Sequence, residues 1–196
     1  MSATRILVLG VVRGHGQAHG YQVRRELLSW RADAWARVAP GSIYQALRTL
    51  TKHGLLEQVS TEAGSGGPER TVYRITPDGE TELLHLVRST ITDAARDAES
   101  LNAAFAFLAL LGRAEAVDLF HHRARTLWAR LVEVEPPEDA PPVPDDGTPP
   151  QVAALFRLYA AQIRADIDWS VDLATRIRDG EYAFADDPSP AATNQA

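Results

Sequence analysis

The segment between Pro40 and Gly54 constrains the fold of this chain more than any other. Its apolar residues follow the i, i+3, i+4, i+7 spacing of one buried helix face: Ile43, Ala46, Leu47 and Leu50. Pro40 and Gly41 punctuate the chain before this helix, Ser42 is suited to cap it, and Gly54 is suited to end it. The pattern predicts an amphipathic helix whose remaining faces carry the polar set Tyr44, Gln45, Arg48 and Lys52.

Two helices are predicted before this one and a hairpin after it. Residues 4–12 are apolar enough for a buried helix, and a second helix is expected from Tyr21 to near Arg31. Two runs rich in β-branched or aromatic residues, 55–61 and 71–76, flank a glycine-rich stretch, which predicts two strands with a flexible tip. Three helices and a hairpin form a winged helix-turn-helix, so the fold class is mainly α with a small β wing.

The rest of the chain is predicted to be helical. Apolar positions continue from Thr76 to Leu111 as one long helix or two, followed by a helix over 114–134 and a last helix over about 151–179. The acidic, proline-rich stretch 136–150 predicts an extended linker. We therefore expect a DNA-binding domain over 1–80, a helical dimerisation domain over 81–182 and a disordered tail over 183–196.

Charge is distributed unevenly along the chain, whose formal net charge is -6. Residues 1–76 carry 10 Lys and Arg against 5 Asp and Glu, whereas residues 93–196 carry 9 against 18. Binding to nucleic acid phosphates needs local positive potential, and only the N-terminal part supplies it. Any nucleic acid contact is therefore predicted for the first domain.

Several classes of site are excluded by residue type and spacing. The chain has no cysteine and no apolar run of the roughly 20 residues that a membrane span needs, which favours a reducing, cytoplasmic location without membrane contact. His121 and His122 point about 100° apart on a helix and have no histidine or acidic partner at i+4, so no metal site is expected. Catalytic and dinucleotide-binding motifs are missing, so we expect neither an enzyme nor a cofactor.

Four short motifs in the N-terminal part resemble the PadR family of transcriptional regulators. They are His19-Gly20-Tyr21, the run from Pro40 to Leu47 (PGSIYQAL), Gly54-Leu55, and the run from Tyr73 to Gly79 (YRITPDG). The resemblance covers about the first 80 residues. It implies a homodimer with two winged helices, C-terminal helices at the dimer interface, repression of promoters through a palindromic operator and, in some members, a small aromatic effector.

The residues predicted to contact double-stranded DNA lie on the third helix, the second helix and the wing: Tyr21, Ser42, Tyr44, Gln45, Arg48, Lys52, Arg70, Thr71 and Arg74. Each has an alternative role. Ser42 either binds a phosphate or caps the helix, Tyr21 either contacts DNA, as the resemblance implies, or packs as an amphipathic ring, and the wing arginines either bind phosphates or keep the hairpin soluble.

Aromatic residues of the C-terminal half suggest a pocket for a flat effector, with ordinary helical core as the alternative. The tentative pocket residues are Phe105, Trp128, Phe156 and Trp169. Two rival functions remain open: a winged-helix module that binds a protein and no longer binds DNA, which the net charge favours, and an aromatic-binding sequestration protein, which rests on the tryptophans alone.

Overall fold

The computed structural model describes residues 3–64, 67–135 and 149–188. The chain forms two compact units. The first extends to Ile91 and also takes in Ala95–Leu110, whereas the second comprises Thr92–Ala94 and the chain from Leu111 onward. No helix among the described residues is long and apolar enough to cross a membrane.

The first unit has the predicted winged-helix order of elements. Its helices are α1 (Ala3–His15), α2 (Gly20–Ser29), the short α3 (Ala32–Trp35), α4 (Pro40–Lys52), α5 (Pro77–Thr92) and α6 (Ala98–Phe105), and a 3₁₀ turn follows at Leu108–Leu110. The strands are β1 (Ala18–His19), β2 (Leu56–Gly64) and β3 (Gly67–Ile75). The predicted third helix is thus α4, because α3 forms one short turn between it and α2.

The sheet differs from the predicted hairpin in two respects. It has three antiparallel strands in the order β1-β3-β2, since Ala18 and His19 pair with Tyr73 and Val72. Two residues carry no periodic signal, so the sequence could not reveal β1. The strands β2 and β3 also extend into the stretch 62–70, which had been predicted as a flexible tip, and residues 65–66 lie outside the described part of the chain.

The first unit includes residues 81–91 and 95–110, beyond the domain boundary predicted at residue 80. Apolar residues after α6 pack on α1: a Cβ on Gly10 would lie 2.2 Å from Cζ of Phe107, so this position needs glycine for the ring to fit. Asn102 also donates a hydrogen bond of 2.9 Å to the carbonyl of Trp35. The region 76–111 is therefore two helices, α5 and α6, rather than one long one, because the chain turns between them to reach α1.

Two of the short motifs meet at one junction. Thr76 donates from N to the Leu55 carbonyl at 3.1 Å and from Oγ1 to the Gly54 carbonyl at 2.7 Å. Its Oγ1 also accepts a hydrogen bond of 3.0 Å from the N–H of Gly79, which caps α5. Gly54 has φ of +71°, and the absent side chain of Gly79 lets α5 begin directly against the Leu55 carbonyl. The junction therefore fixes the start of β2 and the position at which the chain passes from β3 into α5.

The second unit is built on α7 (Arg113–Val134) and α8 (Pro150–Arg178), close to the predicted bounds of both helices. Its core cluster lies between the two helices: Leu127, Leu131, Ala160, Ile163 and Ile167. The predicted linker 136–150 lies largely outside the described residues, apart from Pro149 and the first residue of α8.

A buried arginine joins the two helices of the second unit. Arg123 on α7 is 2% exposed and forms an ion pair with Asp166 on α8, with Nη2 and Oδ2 2.5 Å apart. Its Nε donates to Oδ1 of the same carboxylate at 3.2 Å, and its Nη1 donates to the Asp93 carbonyl at 3.1 Å. The bidentate geometry sets the register of α7 against α8.

The segment after α8 packs on the start of α7 as far as residue 188, within the range 183–196 that is predicted as a disordered tail. Phe184 is only 7% exposed, and the guanidinium of Arg113 lies 5.1 Å from its ring centroid. The same guanidinium donates to both carboxylate oxygens of Asp187, at 3.0 and 2.6 Å, and to the Tyr182 carbonyl at 2.7 Å. The segment 183–188 is thus attached to the start of α7, and residues 189–196 lie outside the described residues.

This attachment should weaken in acid. Hydrogen bonds from the Arg113 side chain and from the Phe184 N–H hold the pKa of Asp187 below its ordinary value. A lowered carboxylate pKa stabilises the fold above the pKa of the unfolded chain, about 3.9, and the contribution is lost as pH falls through the folded value. Asp187→Asn should therefore lower the melting temperature at pH 7. The difference from the unmodified protein should shrink as pH falls and vanish below the lowered pKa of Asp187 in the folded protein, and a difference that stays constant in acid would contradict the role of the carboxylate charge.

Candidate DNA interface

The outer face of α4 is polar and carries only positive formal charge. Ile43, Leu47 and Leu50 are buried and fix the helix on the first unit. The opposite face is exposed and consists of Tyr44, Gln45, Arg48, Thr49 and Lys52. No acidic residue occurs in α4, so Arg48 and Lys52 give it a formal charge of +2. The sequence analysis did not include Thr49 among the exposed polar residues of this helix. It lies one turn after Gln45, at the i+4 position that shares a helix face.

The start of α4 is organised differently from the sequence prediction. The N-cap is Ala39 rather than Ser42, and Pro40 occupies the first turn. Ser42 lies inside the helix, where its Oγ donates a hydrogen bond of 2.7 Å to the Ala39 carbonyl. The predicted capping role of Ser42 is therefore wrong. A phosphate contact would require its hydroxyl proton to leave Ala39, and that contact stays a prediction.

Tyr44 lies at the edge of the exposed α4 face that is next to α2, and Tyr21 lies at the start of α2. Tyr21 is 59% exposed and Tyr44 is 40% exposed, so both rings are available to a ligand. A Cβ on Gly20 would lie 2.9 Å from Cε1 of Tyr44. Glycine in the His-Gly-Tyr motif thus leaves room for the Tyr44 ring against the start of α2.

The opposite flank of α4 borders a cleft of about 360 Å³. Its walls include Ser42, Gln45 and Thr49 from α4 and Arg5 from α1. Arg5 forms an ion pair of 2.8 Å with Glu82. Gln45 and Thr49 therefore lie on the side of the exposed face that points toward α1.

The wing arginines stand opposite glutamates. Arg74 pairs in register with Glu57, and its Nε donates to Glu57 Oε1 at 2.7 Å, with both side chains about half exposed. Arg70 lies in β3 opposite Glu62, and its side chain is outside the described atoms. Thr71 is partly buried and lies opposite Thr61. The ion pair at Arg74 had not been predicted, because the register of the two strands was unknown from the sequence.

The four tentative effector residues divide between the two units. Phe105 belongs to the first unit, where it lines a shallow pocket of about 310 Å³ with Trp35, Asn102 and Ala106. Trp128, Phe156 and Trp169 belong to the second unit, and each is more than a third exposed. Trp169 also makes an edge-on contact with Phe120, with ring centroids 5.5 Å apart. A common pocket for the four residues stays a prediction.

Comparison with solved structures finds overlaps along most of the chain at low similarity. Bacillus subtilis PadR in complex with operator DNA shares 22% identity, with a TM-score of 0.39, over 88% of this chain and 98% of that one. Smu.1604c from Streptococcus mutans UA159 shares 17% sequence identity, with a TM-score of 0.40, over 91% of this chain and 98% of that one. Bacillus subtilis PadR in complex with p-coumaric acid shares 18% sequence identity, with a TM-score of 0.35, over 90% of this chain and 96% of that one. No curated protein matches the chain.

A family model gives the more specific result. The model of the transcriptional regulator PadR-like family matches residues 8–85, which run from α1 through α4 and the wing into α5. This range contains the four short motifs, the exposed face of α4 and the Thr76 junction. Members of this family are transcriptional regulators and not enzymes. The winged helix of the first unit is thus similar to the PadR-like family of transcriptional regulators over residues 8–85.

Proposed function

We propose that the protein is a homodimeric transcriptional repressor that binds a palindromic operator, with α4 in the major groove and the wing beside the DNA backbone. The exposed face of α4 is the observation that carries this proposal. It combines two cations with side chains that can hydrogen-bond to base edges, and its buried face holds the helix rigidly on the unit. Repression would follow from occlusion of the promoter.

The apolar surface of the second unit supports the homodimer. Large apolar side chains of α7 and α8 are between 39% and 55% exposed: Trp128, Val132, Leu155, Phe156, Leu158, Tyr159, Trp169 and Val171. Exposed apolar surface of this kind marks an interaction site in a soluble protein. Sedimentation equilibrium should therefore give twice the chain mass of 21.4 kDa, and a monomer at micromolar concentration would contradict the dimer.

Selection from a pool of random duplexes tests DNA binding directly. Bound sequences should converge on one inverted repeat, and anisotropy titrations should show affinity for it that falls as salt rises, because counterions are released from phosphates. Failure to enrich any sequence, together with absence of salt-sensitive binding, would contradict the proposal. That result would favour the protein-interaction function, which the negative charge of the whole chain supports.

Arg48→Ala should weaken binding to the selected operator by about tenfold or more, since one good side-chain contact to a base is worth about 1–3 kcal/mol. Arg48 is exposed, so the melting temperature and dimer mass should not change. Arg13→Ala is the matched control, because Arg13 also lies exposed on a helix of the first unit but at the end of α1, paired with Glu80. Equal losses for the two variants would remove Arg48 from the base contacts.

An aromatic effector belongs to the same proposal. A ligand that releases the operator must bind one arrangement of the DNA-binding units better than the other, since equal affinity for both shifts nothing. Two of the four tryptophans, Trp128 and Trp169, are exposed in the second unit, so quenching of tryptophan fluorescence by added phenolic acids would report binding of these compounds to the protein. Titration of the operator complex with the same compounds would show whether binding is coupled to release.

A further inference from the structure

The wing has no net positive charge with which to attract DNA from a distance. Residues 56–75 contain two arginines, Arg70 and Arg74, against three glutamates, Glu57, Glu62 and Glu69, for a net charge of -1. This contrasts with α4, which has two cations and no acid. Long-range attraction to phosphates scales with net local charge, so α4 supplies it and the wing does not.

The register of the wing pairs each of its two arginine positions with a glutamate position. Glu57 is the partner of Arg74 in the pairing of β2 with β3. A bulge follows, because Gln58 pairs with Tyr73 whereas Ser60 pairs with Val72, and the extra residue brings Glu62 opposite Arg70. Glutamate and arginine thus occupy paired positions twice along the two strands.

The contact between Glu57 and Arg74 leaves part of the guanidinium available. The bond of 2.7 Å uses Nε, and the two Nη atoms of an arginine carry four further N–H donors. Both side chains are about half exposed, so water screens the pair and a phosphate at hydrogen-bond distance can compete with the carboxylate. At larger distances the charges of Arg74 and Glu57 cancel, so the pair does not attract a phosphate.

We propose that Glu57 is a specificity-determining residue that cancels the charge of Arg74 until the wing is docked closely on the operator backbone. The inference rests on the proposed DNA-binding function. On random duplex, where the wing lies near the backbone but beyond hydrogen-bond distance of a phosphate, Glu57 removes the contribution of Arg74. On the operator, α4 holds the wing close enough for the Nη atoms to bind a phosphate. Glu57 therefore lowers affinity for random DNA more than affinity for the operator.

The test measures affinity for random duplex and for the selected operator by anisotropy, at two salt concentrations, for the full chain and three variants. Glu57→Gln should raise affinity for random duplex about threefold, the effect of removing one charge roughly 6 Å from a phosphate in water. It should also steepen the logarithmic salt dependence by about 0.9. Affinity for the operator should rise less, so that the ratio of the two affinities falls.

The double variant Glu57→Gln/Arg74→Gln is the decisive comparison, because its wing is locally as neutral as that of the unmodified protein. Random duplex should bind both proteins equally, whereas the operator should bind the double variant about threefold to tenfold more weakly. Arg74→Gln alone should weaken binding to both DNAs, since it leaves the charge of Glu57 uncancelled. Circular dichroism should show all three variants folded, as an exposed ion pair contributes little stability.

Two results would overturn the inference while leaving the proposed function intact. One is a loss of affinity for both DNAs in Glu57→Gln, which would make Glu57 a purely structural partner of Arg74. The other is equal affinity of the unmodified protein and the double variant for the operator. Absence of operator binding by the unmodified protein would instead contradict the proposed function itself.

Discussion

Gly79→Ala should destabilise the first unit by about 3 kcal/mol or more. A Cβ at this position would lie 2.1 Å from the Leu55 carbonyl oxygen and 2.7 Å from Cγ1 of Ile75. Overpacking of a well-packed interior costs about 1–3 kcal/mol when side chains can adjust, and here the nearest atom is backbone.

The Leu55 backbone has little freedom to move away from such a side chain. Its carbonyl accepts the hydrogen bond from the Thr76 N–H, and its N–H donates to the Leu50 carbonyl at 2.9 Å. Any shift would disturb the end of α4, the start of β2 and the cap of α5 together. The substitution should therefore weaken DNA binding as well, because the wing and α4 are positioned by the same junction.

Urea denaturation followed by circular dichroism measures the effect, and Gly14→Ala is the matched control. Gly14 also lies in a helix, but a Cβ there would meet no atom within 4 Å. Alanine is favoured over glycine in a helix by up to about 1 kcal/mol, so this control should be neutral or slightly stabilising. Equal stability of Gly79→Ala and the unmodified protein would show that the junction can relax.

Arg123→Met should cost the second unit about 3 kcal/mol. The substitution keeps an unbranched apolar side chain but removes the hydrogen bonds to Asp166 and to the Asp93 carbonyl. Breaking a buried pair costs about 3–5 kcal/mol, and the value expected here lies at the lower end because Asp166 is partly exposed to water.

A second variant separates the loss of the pair from the loss of packing. Arg123→Met/Asp166→Leu removes both charges and should recover most of the lost stability, since apolar residues of similar volume replace buried ion pairs at little cost. Denaturation midpoints of the two variants and the unmodified protein give this comparison. If the double variant is as unstable as the single one, the register of α7 and α8 depends on the specific geometry of the pair.

Most helices of the fold could be predicted from the sequence because their signal is local. The bounds of α4, α7 and α8 follow from apolar residues at helical spacing and from the prolines and glycines at their ends. The polar face of α4 follows from the same periodicity, which is why four of its five exposed residues were identified. The capping role of Ser42 was predicted wrongly, because Ala39 has no side-chain signal for the cap that it forms.

The remaining features depend on residues far apart in the chain. Contacts such as Gly10 with Phe107 and Arg113 with Asp187 join residues that no local pattern links, so the sequence could not reveal them. The ion pair of Glu57 with Arg74 depends on a strand register that a bulge resets. Periodicity and turn chemistry in the sequence determined which segments are helix, strand or turn. Which segments pack together, and which charges cancel, was decided only by the tertiary structure, because such contacts depend on how distant surfaces fit.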